Sequence, residues 1–568
     1  MLKQFTNLFL LVLLFACQPT PKGEIADQIY HNGTIITMEG EAAKATSVAV
    51  KDGKILAVSE TSLVAPHQGD STTVIDLQGK TLLPGFIDAH SHISLGMILL
   101  GQANISSPPV STVNNISDIL QKLKTHQEIN NIDKGEWIIG WGYDPDLLDE
   151  KRHPTKLDLD ETFPDNPVFL MHVSGHMAVI NSTALAKVGI DETTKNPDGG
   201  MIVRLPDSNE PSGLVQETAV YAVRKGLPLP SPEQLMVLLE EVQNLYASHG
   251  VTTAQDGFTD YKTYQLLQKA AAIGKLKLDV EVLAGFLELK QFLTNHGQDF
   301  GKRNNRLRLA GVKVVSDGSP QGKTAFFSKP YLTEVPGCAH DCKGFPNLTK
   351  EQMAGVMKQC YESGIQLYTH ANGDGAIDLF LDTHQSVIDS MASVPDDLRS
   401  VIIHTQFVRP DQLELYKKHK MIPAYFSNHA FFWGDTHLNN LGEERASFLS
   451  PLKASMDMEI VCTNHTDFPI TPIDQLLLLG TAVNRTTRSG ITLGKDQQLT
   501  PYEGLKTITI NSAYQHKQED LKGSIKVGKL ADFVILAENP LTVAADKIKD
   551  ISVVETIKEG VTIFSHGE

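Results

Sequence analysis

Residues 82–92 read Leu-Leu-Pro-Gly-Phe-Ile-Asp-Ala-His-Ser-His, an apolar stretch that ends in a His-x-His pair. Side chains two residues apart point to the same side of a β-strand, so His90 and His92 would leave one face of one strand end together. Two imidazoles placed in this way can bind a single divalent metal ion. Two unrelated surface histidines, or a hydrogen-bonded pair at a strand end, are the alternatives that this stretch leaves open.

Strand-like segments recur along the chain between segments with helical periodicity. Residues 231–249 begin with a capping residue and a proline, carry apolar residues at helical spacing and end before the strand-like residues 251–254. Later strand-like segments at 365–370, 401–404 and 459–463 end in, or run into, polar residues that can bind a metal. These are His370, His404, His465 and Asp467.

This alternation predicts a parallel sheet. In a closed barrel the carboxyl ends of all the strands meet on one face, and polar residues there would converge. We therefore predict an α/β fold with a (β/α)8 TIM-type barrel. An open doubly wound sheet is the alternative, but such a sheet gathers its site at a single switch point.

Short β segments flank the middle region on both sides, and we expect them to form one small β-sandwich domain built from both chain ends. Asn32-Gly33 and Asp52-Gly53 each predict a hairpin. The predicted organisation is a signal peptide at 1–16, a tether at 17–24, a β domain at 25–82 and 516–568, and a barrel at 83–515 with an insertion around 97–230.

The amino terminus has the pattern of an export signal. Lys3 precedes an apolar run that is too short to span a membrane and that ends at Cys17. Residues 14–17, Leu-Phe-Ala-Cys, resemble a bacterial lipobox, so we expect a lipid on Cys17 to anchor the protein in the cell envelope. Gln18 favours the outer membrane, facing the periplasm. A plain signal peptide, with a periplasmic or secreted protein, is the alternative.

The remaining composition limits the partners. The formal net charge is −17, from 50 basic and 67 acidic residues, which argues against a nucleic-acid partner. The four cysteines other than Cys17 are too few for a disulfide scaffold, although Cys338 and Cys342 could form a local bridge. The sequence leaves a homodimer open.

From about residue 27 to 565 the chain resembles the metal-dependent amidohydrolase superfamily. Residues 84–92 match its opening motif, and residues 528–533 (Gly-Lys-Leu-Ala-Asp-Phe) match the closing strand of its β domain. Residues 140–144, 174–176, 250–253, 317–319 and 433–437 resemble the branch that contains N-substituted formamide deformylases. The resemblance implies a barrel that holds one or two divalent ions, with zinc favoured. The ligands it implies are His90, His92, Lys313, His370, His404 and Asp467.

The chemistry of Lys313 and Asp467 fits these roles. Lys313 lies in the apolar stretch 309–315, where burial disfavours the charged amine. A neutral amine can take up carbon dioxide, and the resemblance implies a carbamate that bridges two ions. Pairing with a neighbouring acid is the alternative. Asp467 would bind metal and move a proton from the attacking water to the leaving amine, unless it merely caps a turn before Pro469. His465 competes for any histidine role.

A further group of predictions concerns the substrate. We expect His176 to bind or polarise the substrate carbonyl, which makes it a second catalytic candidate beside Asp467. The predicted substrate-binding residues are Trp141, Tyr143, His176, Trp433 and His437.

The sequence therefore predicts a metal hydrolase that cleaves a non-peptide amide or an N-formyl group of a small molecule. The same fold acting on cyclic-imide or peptide-like substrates is one alternative. A non-enzymatic binding lipoprotein of the envelope is the other.

Overall fold

Eight parallel strands form the central sheet of the computed structural model and follow one another in chain order. Each pairs in parallel with the next, as the alternation of strands and helices predicts. We number them first to eighth. They span Phe86–Ile87, Val251–Thr259, Asp279–Gly285, Leu307–Val315, Gln366–Ala371, Val401–His404, Ile422–Tyr425 and Thr463–Asn464.

The structure describes residues 23–41, 44–59, 62–175, 177–197, 200–228, 230–335, 338 and 340–567. The predicted signal peptide at 1–16, the lipidation residue Cys17 and the candidate His176 lie outside these ranges. Within them, none of the helices has both the length and the apolar character that crossing a bilayer requires.

Hydrogen bonds join the residues that follow the first and the eighth strand. The Asp467 N–H donates to the His90 carbonyl at 3.1 Å, and the His92 N–H donates to the Phe468 carbonyl at 2.7 Å. The sheet is therefore curled, and its two edges approach each other at the carboxyl ends of the strands. This curvature brings distant polar strand ends to one place.

Helices connect these strands and pack against them. The helix Pro232–Ser248 begins as predicted, because the Ser231 hydroxyl accepts from the Gln234 N–H and the Gln234 side chain accepts from the Ser231 N–H. The other helices of this region are Ile93–Leu100, Tyr261–Ala272, Leu289–His296, Lys350–Glu362, Asp374–Ser390, Pro410–Lys418, Asn428–Leu441, Glu443–Ser447, Leu452–Asp457, Gln475–Asn484, Pro501–Thr507 and Ile510–Gln515.

A second sheet takes its strands from both chain ends, while a two-layer sandwich stays a prediction. Gly85 links this sheet to the parallel one, because Thr81–Pro84 belongs to the terminal sheet and Phe86–Ile87 to the parallel sheet. A Cβ at Gly85 would lie 2.3 Å from Thr252 Cγ2, so the passage requires glycine. In sheet order the strands are Val561–Ser565, Val553–Lys558, Phe533–Leu536, Thr81–Pro84, Gln28–Ile36, Lys44–Lys51 and Lys54–Ser59, with Thr73–Asp76 beside Gln28–Ile36.

Local turn signals gave one correct and one wrong hairpin. The hairpin at Asp52-Gly53 is confirmed, because the strands on either side of it pair antiparallel. The hairpin predicted at Asn32-Gly33 is wrong, since Gln28–Ile36 is a single strand whose register shifts after His31. Asn32 adopts φ +59°, and the irregularity bends the strand as a β-bulge does.

The region predicted as an insertion contains a six-stranded mixed sheet, which the sequence did not reveal. Its apolar residues form clusters of their own, apart from the core of the parallel sheet. The strands in sheet order are Gly200–Arg204, Pro211–Glu217, Met177–Ile180, Val168–His172, Ile138–Tyr143 and Ala103–Asn104, with helices Ile116–Ile129, Lys156–Asp160, Ser182–Val188 and Thr218–Arg224.

A buried ion cluster joins the parallel sheet to the terminal sheet. Asp279 on the third strand pairs with Lys522 and, at 3.0 Å, with Lys558, which also pairs with Asp532 at 2.8 Å. Burial alone would raise the pKa of Asp279, but the nearby cations outweigh it and hold that pKa well below its usual range. The cluster therefore depends on an ionised Asp279.

Candidate metal centre

Histidines that follow the first strand and that end the sixth meet at the carboxyl ends of the parallel sheet. The ring centroids of His90 and His92 lie 4.9 Å apart, and the His90 ring lies 5.5 Å from that of His404. The carboxylate oxygen Asp467 Oδ1 lies 3.6 Å from His90 Nε2 and 3.4 Å from His92 Nε2. The structure thus brings the predicted His-x-His pair, the sixth strand end and Asp467 to one point.

The other two predicted ligands border this cluster. Lys313 on the fourth strand places its Nζ 2.9 Å from His90 Nε2. The ring centroid of His370, on the fifth strand, lies 4.5 Å from that of His404. All six predicted ligands therefore lie around one region of the molecule.

The backbone at this face differs from the prediction in one respect. His90 and His92 do not lie within a strand, because the first strand ends at Ile87 and His92 makes only an isolated bridge to Asp256. At the end of the sixth strand and beyond the eighth, His404 and Asp467 adopt φ values of +69° and +53°. Such values are uncommon outside glycine and often mark functional positions.

Polar groups next to the cluster fix the orientation of its residues. Gln255 Oε1 lies 2.5 Å from His90 Nδ1, which leaves His90 Nε2 to face Lys313 and Asp467. The buried Asp88 accepts from the Thr466 N–H at 3.2 Å and from its hydroxyl at 2.5 Å, which fixes the backbone beside Asp467. Hydrogen bonds of this kind, made to the backs of ligands, set ring orientation at metal sites.

Burial sets the protonation of these groups. It lowers the pKa of His90 and His404 well below the ordinary histidine value, and neighbouring cationic groups lower both further. Burial also lowers the pKa of Lys313 to about 7. The imidazoles of His90 and His404 are therefore neutral at physiological pH, which is the form that binds a metal.

A divalent cation fits the donor atoms that face one another here. Within the described residues, two groups of three have donor atoms within 4.8 Å of one another: His90, His92 and Asp467, and His404, His465 and Asp467. Asp467 Oδ1 and His404 Nδ1 are buried without a hydrogen-bond partner, and leaving such atoms unsatisfied is costly unless something else binds them. Imidazole nitrogens with a carboxylate are a zinc-type donor set.

His370 is held differently from the other histidines. Its Nε2 lies 3.0 Å from Asn372 Nδ2, 3.3 Å from the Gly318 carbonyl and 3.4 Å from Asp317 Oδ1. Burial raises the pKa of Asp317 to about 7, although its carboxylate accepts three backbone N–H bonds, among them those of Asn372 and Gly373. The Asp-Gly-Ser motif at 317–319 thus ties the loops around His370 together.

A cavity of about 860 Å³ opens beside the cluster, between the insertion and the loops of the parallel sheet. Pro469 and Ile470, which follow Asp467 closely in the sequence, line this cavity. The disulfide between Cys338 and Cys342 lies in its wall. Its lining includes Trp141, His153, His172, Phe432, Trp433 and Arg488.

The predicted substrate residues divide into two sets. Trp141 and Trp433 line the cavity, but Tyr143 and His437 are not among the described residues that do. Tyr143 is buried and its hydroxyl reaches His153 Nδ1 at 2.9 Å, so it lies behind the wall. His437 is buried too, because its ring stacks on His429, whose Nδ1 lies 3.0 Å from His437 Nε2.

Sequence reasoning underrated His465 and missed His429. His429 lies between the cavity and the cluster, with ring centroids 4.4 Å from Trp433 and 4.6 Å from Phe426. Phe426 in turn lies 5.0 Å from His465. His429 lies in the first turn of the helix Asn428–Leu441, shortly after the seventh strand ends at Tyr425, and that position beyond a strand end was the available signal for it.

Comparisons with known proteins agree with this geometry. The model of a family described as "Amidohydrolase family" matches residues 73–564. The N-substituted formamide deformylase of Arthrobacter pascens is 27% identical over 552 residues, which cover 95% of this chain and 98% of that protein. Protein LONG AFTER FAR-RED 3 of Arabidopsis thaliana is 29% identical over 531 residues, covering 91% and 88% of the two chains.

Among solved structures, an uncharacterized metal-dependent hydrolase from Pyrococcus horikoshii OT3 superposes with a TM-score of 0.72. It is 26% identical in sequence, and the match covers 91% of this chain and 99% of the other.

Proposed function

Because this chain belongs to the amidohydrolase family and is a hydrolase of carbon–nitrogen bonds, we propose that it cleaves an N-formyl or other non-peptide amide of a small molecule with the help of a divalent metal ion. The observation that supports this most is the cluster of buried imidazoles of His90, His404 and His465 around Asp467, beside an aromatic-walled cavity. Within the family, the matched relative from Arthrobacter is a formamide deformylase, which is why we place N-formyl amines first.

We propose that the curled sheet closes into a complete (β/α)8 barrel and that the terminal strands form the predicted sandwich. The hydrogen bonds between residues 90–92 and 467–468 support closure. The proposed boundaries stay those given by the sequence, at 25–82, 83–515 and 516–568.

In this proposal the metal ligands are His90, His92, His370, His404, a carbamylated Lys313 and Asp467. The low pKa of Lys313 favours the amine form that reacts with carbon dioxide. We propose zinc, with one or two ions. A bound divalent ion would make water acidic enough to react near neutral pH and would polarise the substrate carbonyl.

Side chains of the protein account for proton transfer and substrate binding in this proposal. Asp467 Oδ1, which has no hydrogen-bond partner among the described residues, would take a proton from the attacking water and pass it to the leaving nitrogen. Trp433 and Trp141 hold the amine substituent against the cavity wall and exclude water from it. We keep His176, outside the described residues, as a proposed contact of the carbonyl oxygen.

A substrate panel tests this proposal. Zinc-loaded protein is incubated with N-benzylformamide, the matched N-benzylacetamide, a cyclic imide and an N-acyl dipeptide; released formate or amine is measured, and for the imide the ring-opened amic acid. Release from the formamide first supports the proposal, whereas faster cleavage of the cyclic imide or the dipeptide favours the alternative substrates. Tight binding of the formamide without cleavage favours a binding lipoprotein.

We further propose that a lipid on Cys17 anchors the enzyme in the bacterial envelope, with the outer membrane favoured over a periplasmic or secreted form. Fractionation of cells that express the wild type or Cys17→Ala tests this, because the variant should leave the membrane fraction. A homodimer is the proposed assembly to check by light scattering.

A further inference from the structure

His465 is a buried histidine without a structural explanation. Neither of its ring nitrogens has solvent contact or a hydrogen bond of good geometry, although the Ala424 backbone is near enough to interact with the ring; within the described residues no other histidine has both nitrogens in this state. Other buried histidines of the fold bond at one nitrogen, as His384 does to the Tyr361 hydroxyl at 2.8 Å. Leaving a buried polar group unsatisfied is costly, so a purely structural role for this imidazole is unfavourable.

The fold holds this imidazole firmly in the cluster. Its backbone N–H donates to the Tyr425 carbonyl at 3.0 Å, directly after the eighth strand. Its ring stacks on Phe426, with centroids 5.0 Å apart. The His465 ring centroid lies 5.2 Å from that of His90 and 5.1 Å from that of His404.

Three unpartnered donors converge at this position. His404 Nδ1, the His465 nitrogens and Asp467 Oδ1 are all buried without a hydrogen bond of good geometry, and one donor atom from each residue lies within 4.8 Å of the others. Three unsatisfied groups facing one another in a buried pocket would destabilise the fold unless a cation satisfies them together. His370, in contrast, directs its Nε2 toward Asn372 and Gly318.

We propose that His465 is itself a metal ligand and that it binds a divalent cation together with His404 and Asp467. This inference rests on the proposed function, because it assigns a ligand of the same metal centre. The group adjoins the His90–His92 pair and shares Asp467 with it. Since His404 ends the sixth strand and both His465 and Asp467 follow the eighth, this side of the centre would be held by the ends of the sixth and eighth strands.

Cobalt binding tests the assignment without an activity assay. Full-length protein is stripped with a chelator and titrated with Co²⁺, and bound metal per chain and the visible spectrum are recorded. We expect His465→Asn to weaken the binding of one Co²⁺ by at least about 100-fold, as loss of a ligand should exceed loss of a supporting group. The matched control, His384→Asn, should bind Co²⁺ as the wild type does.

Direct ligation is tested by His465→Cys. If residue 465 touches the metal, its thiolate should give a cysteinate-to-cobalt charge-transfer band in the near ultraviolet, and His384→Cys should not. This variant also decides the matter if His465→Asn fails to fold.

Wild-type Co²⁺ affinity and stoichiometry in His465→Asn, or the absence of the band in folded His465→Cys, would overturn the assignment. A wild type that binds no Co²⁺ would overturn the proposed function itself, which separates the two failures.

Discussion

Replacing Asp467 by asparagine separates the chemistry of this carboxylate from its part in the fold. Asp467 Oδ1 has no hydrogen-bond partner in the described protein, so the amide breaks no hydrogen bond of that oxygen. The backbone φ of +53° is one that asparagine adopts readily, whereas alanine would be strained there. We therefore expect the free energy of unfolding of the metal-free protein to change by about 1 kcal/mol or less.

Turnover should respond very differently. A positioned general acid or base contributes a rate factor of about 10²–10⁴. Asp467→Asn should therefore lower kcat by that factor, which corresponds to about 2.7–5.5 kcal/mol of barrier. Because Asp467 belongs to both three-residue donor groups, metal affinity should fall as well. The assay is formate release from N-benzylformamide, with urea denaturation of the metal-free proteins in parallel.

Asp474→Asn is the matched control for this experiment. Asp474 caps the helix Gln475–Asn484 by accepting from the Leu476 and Leu477 N–H groups at 2.9 Å. Asparagine caps a helix as well as aspartate does, so this variant should keep both stability and turnover. If Asp467→Asn kept as much turnover as Asp474→Asn, the role given to Asp467 would be refuted.

Three other predictions concern the fold and the cavity. Asp279→Asn leaves two buried lysines without their shared carboxylate, so urea denaturation should show a loss of about 3–5 kcal/mol, far above the effect of Asp27→Asn at an exposed pair. Since the pKa of Asp279 is depressed, its stabilising contribution is present above the unfolded-state pKa of about 4 and should fade as the pH falls through the folded-state value. Equal losses of unfolding free energy in Asp279→Asn and Asp27→Asn would contradict a stabilising role of the buried ion cluster. Trp433→Ala should raise KM for N-benzylformamide more than it lowers kcat in steady-state kinetics, and an unchanged KM would remove Trp433 from the substrate wall. Replacing Cys338 and Cys342 by serine opens a five-residue ring, whose loss of chain constraint corresponds to about 2 kcal/mol of entropy, so protease should cut the double variant faster in the cavity wall. Identical digestion of the variant and the wild type would contradict a constraining disulfide.

Residue spacing predicted the parts of the fold that follow strand and helix periodicity. His370 and His404 could be placed because each ends an apolar strand, and the carboxyl ends of parallel strands meet. Lys313 could be placed because a lysine inside an apolar strand is conspicuous. The His-x-His pair points as predicted although it lies just beyond its strand, since Asp88 and Gln255 fix its loop.

Other features depend on contacts that no local pattern encodes. Asn32-Gly33 has the residues of a hairpin, but the strand continues because its two halves pair with different neighbours. Tyr143 and His437 are polar aromatic residues near glycine, yet tertiary packing turns both away from the cavity. No sequence pattern shows that both ring nitrogens of His465 are buried without a hydrogen bond, and this feature of the structure is what identifies His465 as a candidate metal ligand.

Metal content, measured together with hydrolysis, tests the central claim most directly. Full-length protein is analysed by inductively coupled plasma mass spectrometry as purified, after chelation and after reloading with zinc, with hydrolysis of N-benzylformamide followed in the same samples. The account predicts one or two zinc ions per chain, loss of hydrolysis with their removal and recovery of both on reloading. Hydrolysis that persists at full rate in protein free of metal would contradict it.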